Sequence, residues 1–442
     1  MDIKEKAKLF AIKAHKGQVR KSESDKPMVL HPIDVGLILE EFGYDDNVIA
    51  AGFLHDVVED TKYTIDDIKR EFGEDIAQLV FDASEEDKSL SWEERKKKTI
   101  EKTRTLPLRN RLIICADKIS NLEDLNILFA KNGIRDFSAF KRGEESQKWY
   151  YTELYKSLVF GEDENSPIFK RLKKELDTFL GIGTDLLQSE IFSDDLDYYK
   201  ELKRLHAEKY ELIKLKRICS VVRPFIIEFT GTPRTGKTTT INNLYDFFKK
   251  AGFDISIIEE FTTSKRFKSL YKSVYSKMDM AHRNLTIADE VLEELERESL
   301  SSHDIILLDR SVNDRQIWNY RRFISGEMTE EEYFPSKEKL LSASKRLIDF
   351  LVITYASPEV SLKRDYLSSL ALEKRSFLNI KNISEYNDAL THLEDQFVKS
   401  NGYVCKIDTS SMPLRDVSVR VASEVMPQIR KRYIKSFRDF YK

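Results

Sequence analysis

The hydrophobic pattern of this chain changes character near Pro224, and that change limits the folds open to it. Up to roughly residue 180, apolar residues recur at helical spacing, as in Ala7, Phe10, Ala11 and Ala14. After Pro224, short β-branched runs alternate with helical stretches. We therefore predict a multidomain protein, in which an all-α domain precedes an α/β domain.

The apolar runs after Pro224 have the length and composition of buried strands. They occupy residues 225–230, 254–259, 305–309, 349–354 and 403–408. Five buried strands separated by helices predict a parallel five-stranded sheet, since helical crossovers cover both of its faces. A chain of 442 residues exceeds what one core usually holds. We predict domains over 1–181 and 224–442, joined by a charged helical linker over 182–223.

Charge and cysteine content exclude several classes of protein. The 73 Lys and Arg residues nearly balance the 76 Asp and Glu residues, so no global field favours nucleic acid or an anionic membrane. Cys115, Cys219 and Cys405 lie far apart and lack CxxC spacing, which argues against a disulfide framework and a structural zinc site. We therefore expect a reducing cytoplasm. No apolar run of about 18 residues occurs, so we expect no membrane span. Homo-oligomerisation stays open.

Two imidazoles and two carboxylates stand out in the N-terminal half. His31 lies in LHPIDV, the adjacent His55 and Asp56 in FLHDVVEDT, and Asp117 in CADKISNL, on three predicted helical segments. Such a set suits a divalent ion such as Mn²⁺ and leaves positions for water and a phosphate. Taken singly, each residue has a simpler interpretation, because a His before Pro often caps a helix and an exposed Asp is usually only solvated.

The wider pattern resembles the HD domain of RelA/SpoT-type alarmone hydrolases. The resemblance runs through AHKGQVRKSESDKPMVLHPIDV, IAAGFLHDVVEDTKYTIDDIKREFGEDIAQLV and ADKISNL, over roughly residues 5–180. It implies four metal ligands: His31, His55, Asp56 and Asp117. No synthetase domain follows, so the resemblance is to the small hydrolase-only members, whose substrate is a nucleotide with a 3′-diphosphate such as ppGpp.

The same resemblance implies roles for five further residues. Glu59 and Asp60, about one helical turn after the His-Asp pair, correspond to the carboxylates that activate water. Asn121 corresponds to a substrate contact, and Arg20 and Lys21 to the pair that meets the base and the phosphates. The loop SESDKP differs from the shorter, Gly-containing loop usual in such enzymes, which leaves guanine specificity open.

GTPRTGKT fits the phosphate-binding pattern G-x-x-x-x-G-K-T and lies between a predicted strand and a predicted helix. In such a loop, Lys237 reaches the β and γ oxygens of ATP and the Thr238 hydroxyl binds Mg²⁺. The predicted ATP-binding residues are Gly231, Thr232, Pro233, Arg234, Thr235, Gly236, Lys237, Thr238 and Thr239.

The rest of the C-terminal half resembles thymidylate and deoxynucleoside kinases. Asp309 and Arg310 follow an apolar strand, as in the D/E-R-S motif that those kinases place at the phosphate-transfer centre. Glu259 and Glu260 end the second predicted strand, where an acid can face the acceptor hydroxyl or the metal; which of the two does so is open. Three basic residues resemble the arginine-bearing lid of these kinases: Arg364, Lys374 and Arg375.

Three hypotheses for the whole chain follow. The first is a bifunctional enzyme that hydrolyses a nucleotide in one domain and binds or transfers phosphate from ATP in the other. The second is a kinase with a degenerate HD scaffold, against which the complete ligand set argues. The third is a regulatory or phage-defence switch, in which the P-loop domain gates the hydrolase.

Overall fold

The chain folds into two compact units. The computed structural model describes residues 1–20, 25–85, 89–132, 137, 142–182, 195–369 and 378–441. We call Met1–Ser220 with Arg430–Lys442 the helical unit, and Val221–Ile429 the α/β unit. The prediction of an all-α region followed by an α/β region is confirmed.

The helical unit is built from helices, some of which begin at residues with capping side chains. Thr64 and Ser91, for example, each form a capping box with the acidic residue three positions later. The helices are α1 (Ile3–Ala14), α2 (Leu30–Glu41), α3 (Asp46–Leu54), α4 (Val57–Asp60), α5 (Ile65–Phe72), α6 (Glu74–Ala83), α7 (Trp92–Thr105), α8 (Leu108–Asn132), α9 (Gly143–Leu158), α10 (Pro167–Leu180) and α11 (Leu196–Ile218). Helix α11 occupies most of the segment predicted as a linker, and it packs on α8 within the helical unit.

Close packing of α2 against α3 depends on two glycines. A Cβ atom on Gly36 would lie 2.3 Å from the Phe53 ring, and one on Gly52 would lie 2.6 Å from the Leu39 side chain. Both distances are shorter than any real carbon contact, so only glycine lets the two helices approach this closely. Their approach brings the start of α2 next to the end of α3.

The α/β unit is a parallel sheet with helices between its strands. The strands are β1 (Phe225–Gly231), β2 (Ile255–Ile258), β3 (Ile305–Asp309), β4 (Phe350–Tyr355) and β5 (Val404–Asp408). They lie in the order β2-β3-β1-β4-β5, all parallel, which confirms the predicted five-stranded sheet. The helices are α12 (Lys237–Lys249), α13 (Lys265–Leu270), α14 (Met280–Glu298), α15 (Val312–Ile324), α16 (Glu330–Leu347), α17 (Pro358–Ser369), α18 (Ile380–Ser400) and the part of α19 (Leu414–Phe440) up to Ile429.

The order of the strands determines which chain segments meet at one edge. Phe229 of β1 pairs with Asp309 of β3, and Gly231 at the end of β1 pairs with Thr354 of β4. The carboxyl ends of parallel strands share an edge, and ligands of open α/β sheets bind there.

Two predictions from composition bear on the whole chain. Cys115, Cys219 and Cys405 are free, buried thiols. Within the ranges that the structure describes, none of the helices combines the length and the apolar character needed to cross a membrane.

Candidate functional site

Three segments of the helical unit meet at the predicted metal site. His31 lies in the first turn of α2, His55 directly follows α3, and Asp117 lies within α8. One ligand atom from each of these three residues lies within 4.8 Å of the others. Asp56 completes the group, with its carboxylate oxygens 3.1 Å from His55 Nε2 and 3.6 Å from His31 Nε2. The structure thus brings all four predicted ligands together.

The hydrogen bonds of the two imidazoles leave a nitrogen of each directed at the carboxylates. His55 Nδ1 lies 2.9 Å from the carbonyl oxygen of Gly52, so it carries the ring proton. His55 Nε2 is buried and lies 3.1 Å from Asp56 Oδ1. His31 Nε2 lies 3.1 Å from Asp117 Oδ1. Two imidazole nitrogens that face two carboxylates form a donor set that fits a divalent cation.

The electrostatics of the cluster keep its two carboxylates ionised. Burial opposes protonation of His55, but Asp56 and Asp117 raise its pKa to about 9. Burial lowers the pKa of His31. Burial also opposes ionisation of the carboxyls, yet His55 holds the pKa of Asp56 low and Lys118 holds that of Asp117 well below its usual range. Two ionised carboxylates therefore lie in a buried space with two imidazoles.

The two predicted water-activating carboxylates have different surroundings. Both lie in α4, directly after the His-Asp pair. Glu59 is half-buried, and its Oε1 accepts a hydrogen bond of 2.8 Å from the backbone N–H of Glu85. Asp60 is exposed, and its backbone carbonyl accepts a hydrogen bond from Gln18. Glu59 is thus the better anchored of the two.

The predicted substrate contacts are held by acidic side chains. Arg20 donates to Asp124 Oδ2 at 2.9 Å. Asn121 donates to Asp117 Oδ1 and so orients a predicted ligand. Lys21 lies outside the described residues.

Three residues that no motif predicted lie at this group or one contact away from it. Lys118 Nζ donates to Asp117 Oδ2 at 2.6 Å, and Ser120 Oγ lies 3.0 Å from His31 Nδ1. Both lie in the segment ADKISN that carries Asp117, and their spacing on α8 was a usable signal. Lys214 of α11, which donates to Ser120, is remote in sequence and carries no motif.

The candidate phosphate loop of the α/β unit depends on glycine at two positions. Gly231 has a φ of 124°, and a Cβ atom there would lie 1.8 Å from the carbonyl oxygen of Thr354. Gly236, with a φ of 86°, immediately precedes α12. The Thr235 hydroxyl closes the loop with a 2.9 Å hydrogen bond to the carbonyl of Thr232. The predicted loop therefore ends at a helix N-terminus, where anions bind.

Lys237 and Thr238 begin α12 at this loop. Lys237 Nζ donates to the carbonyl oxygens of Gly231 and Thr232 at 3.1 and 2.6 Å. Burial and the nearby Arg310 lower the pKa of Lys237 to about 7. The Thr238 hydroxyl donates to Asp309 Oδ2 at 2.7 Å, which joins two residues predicted to act around Mg²⁺.

The other predicted loop residues lie at its surface. Arg234, with a positive φ of 60°, donates to Asp365 Oδ1 at 2.7 Å. The carbonyl of Pro233 accepts a hydrogen bond of 2.7 Å from Ser361. Thr239 is exposed.

The predicted transfer-centre residues lie beside the loop. Arg310 has a φ of 63° and donates to the Gly231 carbonyl at 3.0 Å and to Asp314 at 2.6 Å. Glu260 lies 3.4 Å from Arg310 Nε, whereas Glu259 is exposed. A cleft at this edge is lined by Ile258, Glu259, Phe261, Val291, Glu294, Leu295, Leu308, Arg310 and Ser311.

The predicted lid residues are only partly described. Arg364 of α17 donates to the Thr409 hydroxyl at 3.0 Å and to the Thr409 carbonyl, so its contacts in this structure are with the segment after β5. Lys374 and Arg375 lie outside the described residues.

The family match lies within the helical unit. Residues 7–137 match the HD domain family. Over 120 residues the chain is 41% identical to guanosine-3′,5′-bis(diphosphate) 3′-pyrophosphohydrolase MESH1 of Drosophila melanogaster, covering 27% of this chain and 66% of that protein. It is 27% identical over 248 residues to a GTP pyrophosphokinase of Streptomyces antibioticus, covering 50% of this chain and 29% of that one.

Among solved structures, a Listeria monocytogenes protein is 40% identical, with a TM-score of 0.32, covering 33% of this chain and 96% of that one. By contrast, the matches to the MESH1 protein and to the GTP pyrophosphokinase cover less than two thirds of the length of those two relatives. The family match includes every predicted ligand and ends before α9. The helical unit therefore contains an HD domain over residues 7–137.

Proposed function

We propose that the helical unit is a metal-dependent pyrophosphohydrolase that acts on a nucleotide with a 3′-diphosphate. The observation that carries this proposal is the buried cluster of His31, His55, Asp56 and Asp117 inside an HD domain. Relatives named as guanosine-3′,5′-bis(diphosphate) 3′-pyrophosphohydrolases support a ppGpp-like substrate.

Two imidazole nitrogens and two carboxylates would hold the ion. His31 Nε2 and His55 Nε2 have their other ring nitrogens engaged by Ser120 and Gly52, so each Nε2 can offer a lone pair. A bound divalent ion, for which we propose Mn²⁺, acidifies water and neutralises phosphate charge. Asn121 and Lys118 keep the Asp117 carboxylate in place through the hydrogen bonds that they donate.

The chain's own groups supply the remaining chemistry. Glu59, held by the backbone N–H of Glu85, accepts a proton from the attacking water. The water oxygen bonds to the phosphorus attached to O3′, the P–O3′ bond breaks, and O3′ takes up a proton. Products are pyrophosphate and a nucleotide with a free 3′-hydroxyl. Arg20, held by Asp124, supplies a positive charge to the substrate.

The test is a panel of nucleotides incubated with Mn²⁺ or Mg²⁺, with products identified by mass. We expect pyrophosphate and a 3′-hydroxyl product from nucleotides with a 3′-diphosphate, and neither from matched 3′-hydroxyl nucleotides. Release of single phosphate, or equal turnover by the His55→Ala/Asp56→Ala variant, contradicts the proposal.

For the α/β unit we propose binding of Mg²⁺-ATP and phosphoryl transfer to a nucleoside or nucleotide. The hydrogen bond between Thr238 and Asp309 favours it, because a hydroxyl and a carboxylate at this position bind Mg²⁺ in P-loop enzymes. Arg310 and Glu260 lie close enough to meet a transferring phosphoryl group and an acceptor.

Gamma-labelled ATP with a panel of nucleosides and nucleoside monophosphates tests the second activity. We expect labelled acceptor, and we expect Asp309→Asn to depress transfer while ATP affinity changes little, since the carboxylate matters most as charge develops in the transition state. Label that appears only as free phosphate contradicts the kinase and favours a switch in which ATP binding gates the hydrolase.

A further inference from the structure

One buried lysine links helix α11 to two parts of the proposed hydrolase site. Lys214 is 6% exposed and lies on α11, outside the segment that matches the HD domain family. Its ammonium nitrogen lies 3.0 Å from the Ser120 carbonyl oxygen, 3.1 Å from Ser120 Oγ and 2.9 Å from Asp124 Oδ1. Asp34, fully buried, lies 3.0 Å away. A buried ammonium group with partners on every side is held in one position.

The first link runs through Ser120 to His31. An ammonium group only donates, so Ser120 Oγ accepts a hydrogen bond from Lys214. The same Ser120 Oγ lies 3.0 Å from His31 Nδ1. The other ring nitrogen of His31, Nε2, lies 3.1 Å from Asp117 Oδ1, so the contact of Nδ1 with Ser120 orients the nitrogen that would meet the metal.

The second link runs through Asp124 to Arg20. Asp124 accepts from Lys214 through Oδ1 and from Arg20 through Oδ2, both at 2.9 Å. Arg20, His31, Asp124 and Lys214 line a single cleft, so both links end at the same space. One cation on α11 thus contacts the partner of a proposed metal ligand and the partner of a proposed substrate contact.

We propose that Lys214 is a positioning residue of the hydrolase site. It holds Ser120 so that His31 presents Nε2 to the metal, and it holds Asp124 so that Arg20 keeps its place beside the site. The inference rests on the proposed function, since it takes His31 as a metal ligand. It adds that the HD segment alone lacks a residue needed to orient that ligand.

The test uses the full-length chain and compares Lys214→Met with Lys131→Met. Lys131 makes an ion pair with Glu211 and so also joins α8 to α11, but none of its described contacts involves Ser120 or Asp124. Residues that orient metal ligands typically contribute a factor of about 10 to 100 to metal affinity. We expect Lys214→Met to weaken Mn²⁺ binding by about that factor, and Lys131→Met to leave it near the wild-type value.

Two further measurements separate positioning from general destabilisation. Ser120→Ala should weaken Mn²⁺ binding by a similar factor, and the double variant Ser120→Ala/Lys214→Met should lose little more, because both changes interrupt one link.

Each outcome decides between specific statements. Equal Mn²⁺ affinity in Lys214→Met and Lys131→Met, or fully additive losses in Ser120→Ala/Lys214→Met, overturns the positioning role. A wild-type chain that binds Mn²⁺ through His31 but hydrolyses no 3′-diphosphate contradicts the proposed function and leaves the positioning role standing.

Discussion

The two candidate sites of this protein are built in opposite ways. The His-Asp cluster of the helical unit takes side chains from α2, from the end of α3 and from α8, which only tertiary packing brings together. The phosphate loop of the α/β unit is one continuous segment, 231–239, that carries its predicted ligand-binding residues side by side in sequence. The first site should therefore respond to changes in helix packing, and the second to changes within the loop.

The largest expected effect comes from removing ligands of the cluster. A bound metal contributes several kcal/mol to stabilising the transition state, which corresponds to roughly a thousandfold in rate. We expect His55→Ala/Asp56→Ala to lose metal and to lower hydrolysis by about that factor, with ATP binding unchanged. His206→Ala, a change at another histidine of the helical unit, serves as the control. Undiminished metal content in the double variant would falsify the ligand assignment.

The next effect concerns the proton acceptor. A positioned acid or base typically contributes a factor of about 100 or more. We expect Glu59→Gln to lower the rate of hydrolysis by about that factor while the metal content stays the same. The rate of hydrolysis by Asp60→Asn provides the comparison. A larger loss in Asp60→Asn would transfer the role to Asp60, and a loss of metal in Glu59→Gln would make Glu59 a ligand.

A third prediction tests the independence of the two sites. Hydrogen bonds from a charged donor contribute about 1.5–3 kcal/mol, so Lys237→Ala should weaken ATP binding by about 10- to 100-fold. Mn²⁺ binding and hydrolysis should stay near wild type. Lys249→Ala, at the exposed end of the same helix α12, provides the matched control. If Lys237→Ala also abolishes hydrolysis, ATP binding gates the hydrolase.

The smallest expected effect is a pH dependence of the α/β unit. Burial raises the pKa of Glu228 on β1 to about 7, from 4.5. The folded state then binds more protons than the unfolded state between these values, so stability should fall as pH rises through this window. From pH 5 to pH 7 the loss should be about 2 kcal/mol. Hydrogen exchange of β1 amides, corrected for intrinsic rates, should show it in the wild type and much less in Glu228→Gln.

The sheet was predictable because its strands are apolar runs bounded by charged and turn residues. The run IILLD, for instance, was predicted as a strand over 305–309, and β3 has the same bounds, Ile305–Asp309. The phosphate loop and the convergence of the His-Asp cluster followed from motifs whose residues lie close in sequence or on identifiable helices. Local patterns of this kind determine local structure.

The hydrogen-bond partners of basic side chains that belong to no motif could not be predicted from the sequence. Lys214 carries no motif, and its contacts with Ser120 and Asp124 arise because α11 packs on α8. In the same way, the helical spacing of Arg364 does not reveal that it contacts Thr409. Side-chain partners of this kind depend on tertiary packing, which sequence periodicity does not encode.

The most direct test of the metal site is anomalous diffraction at the manganese absorption edge from crystals of the full-length chain grown with Mn²⁺. We predict one strong peak within ligand distance of His31 Nε2, His55 Nε2 and the carboxylates of Asp56 and Asp117. The peak should vanish in His55→Ala/Asp56→Ala. A peak elsewhere in the helical unit, or one that persists in the double variant, would contradict the account.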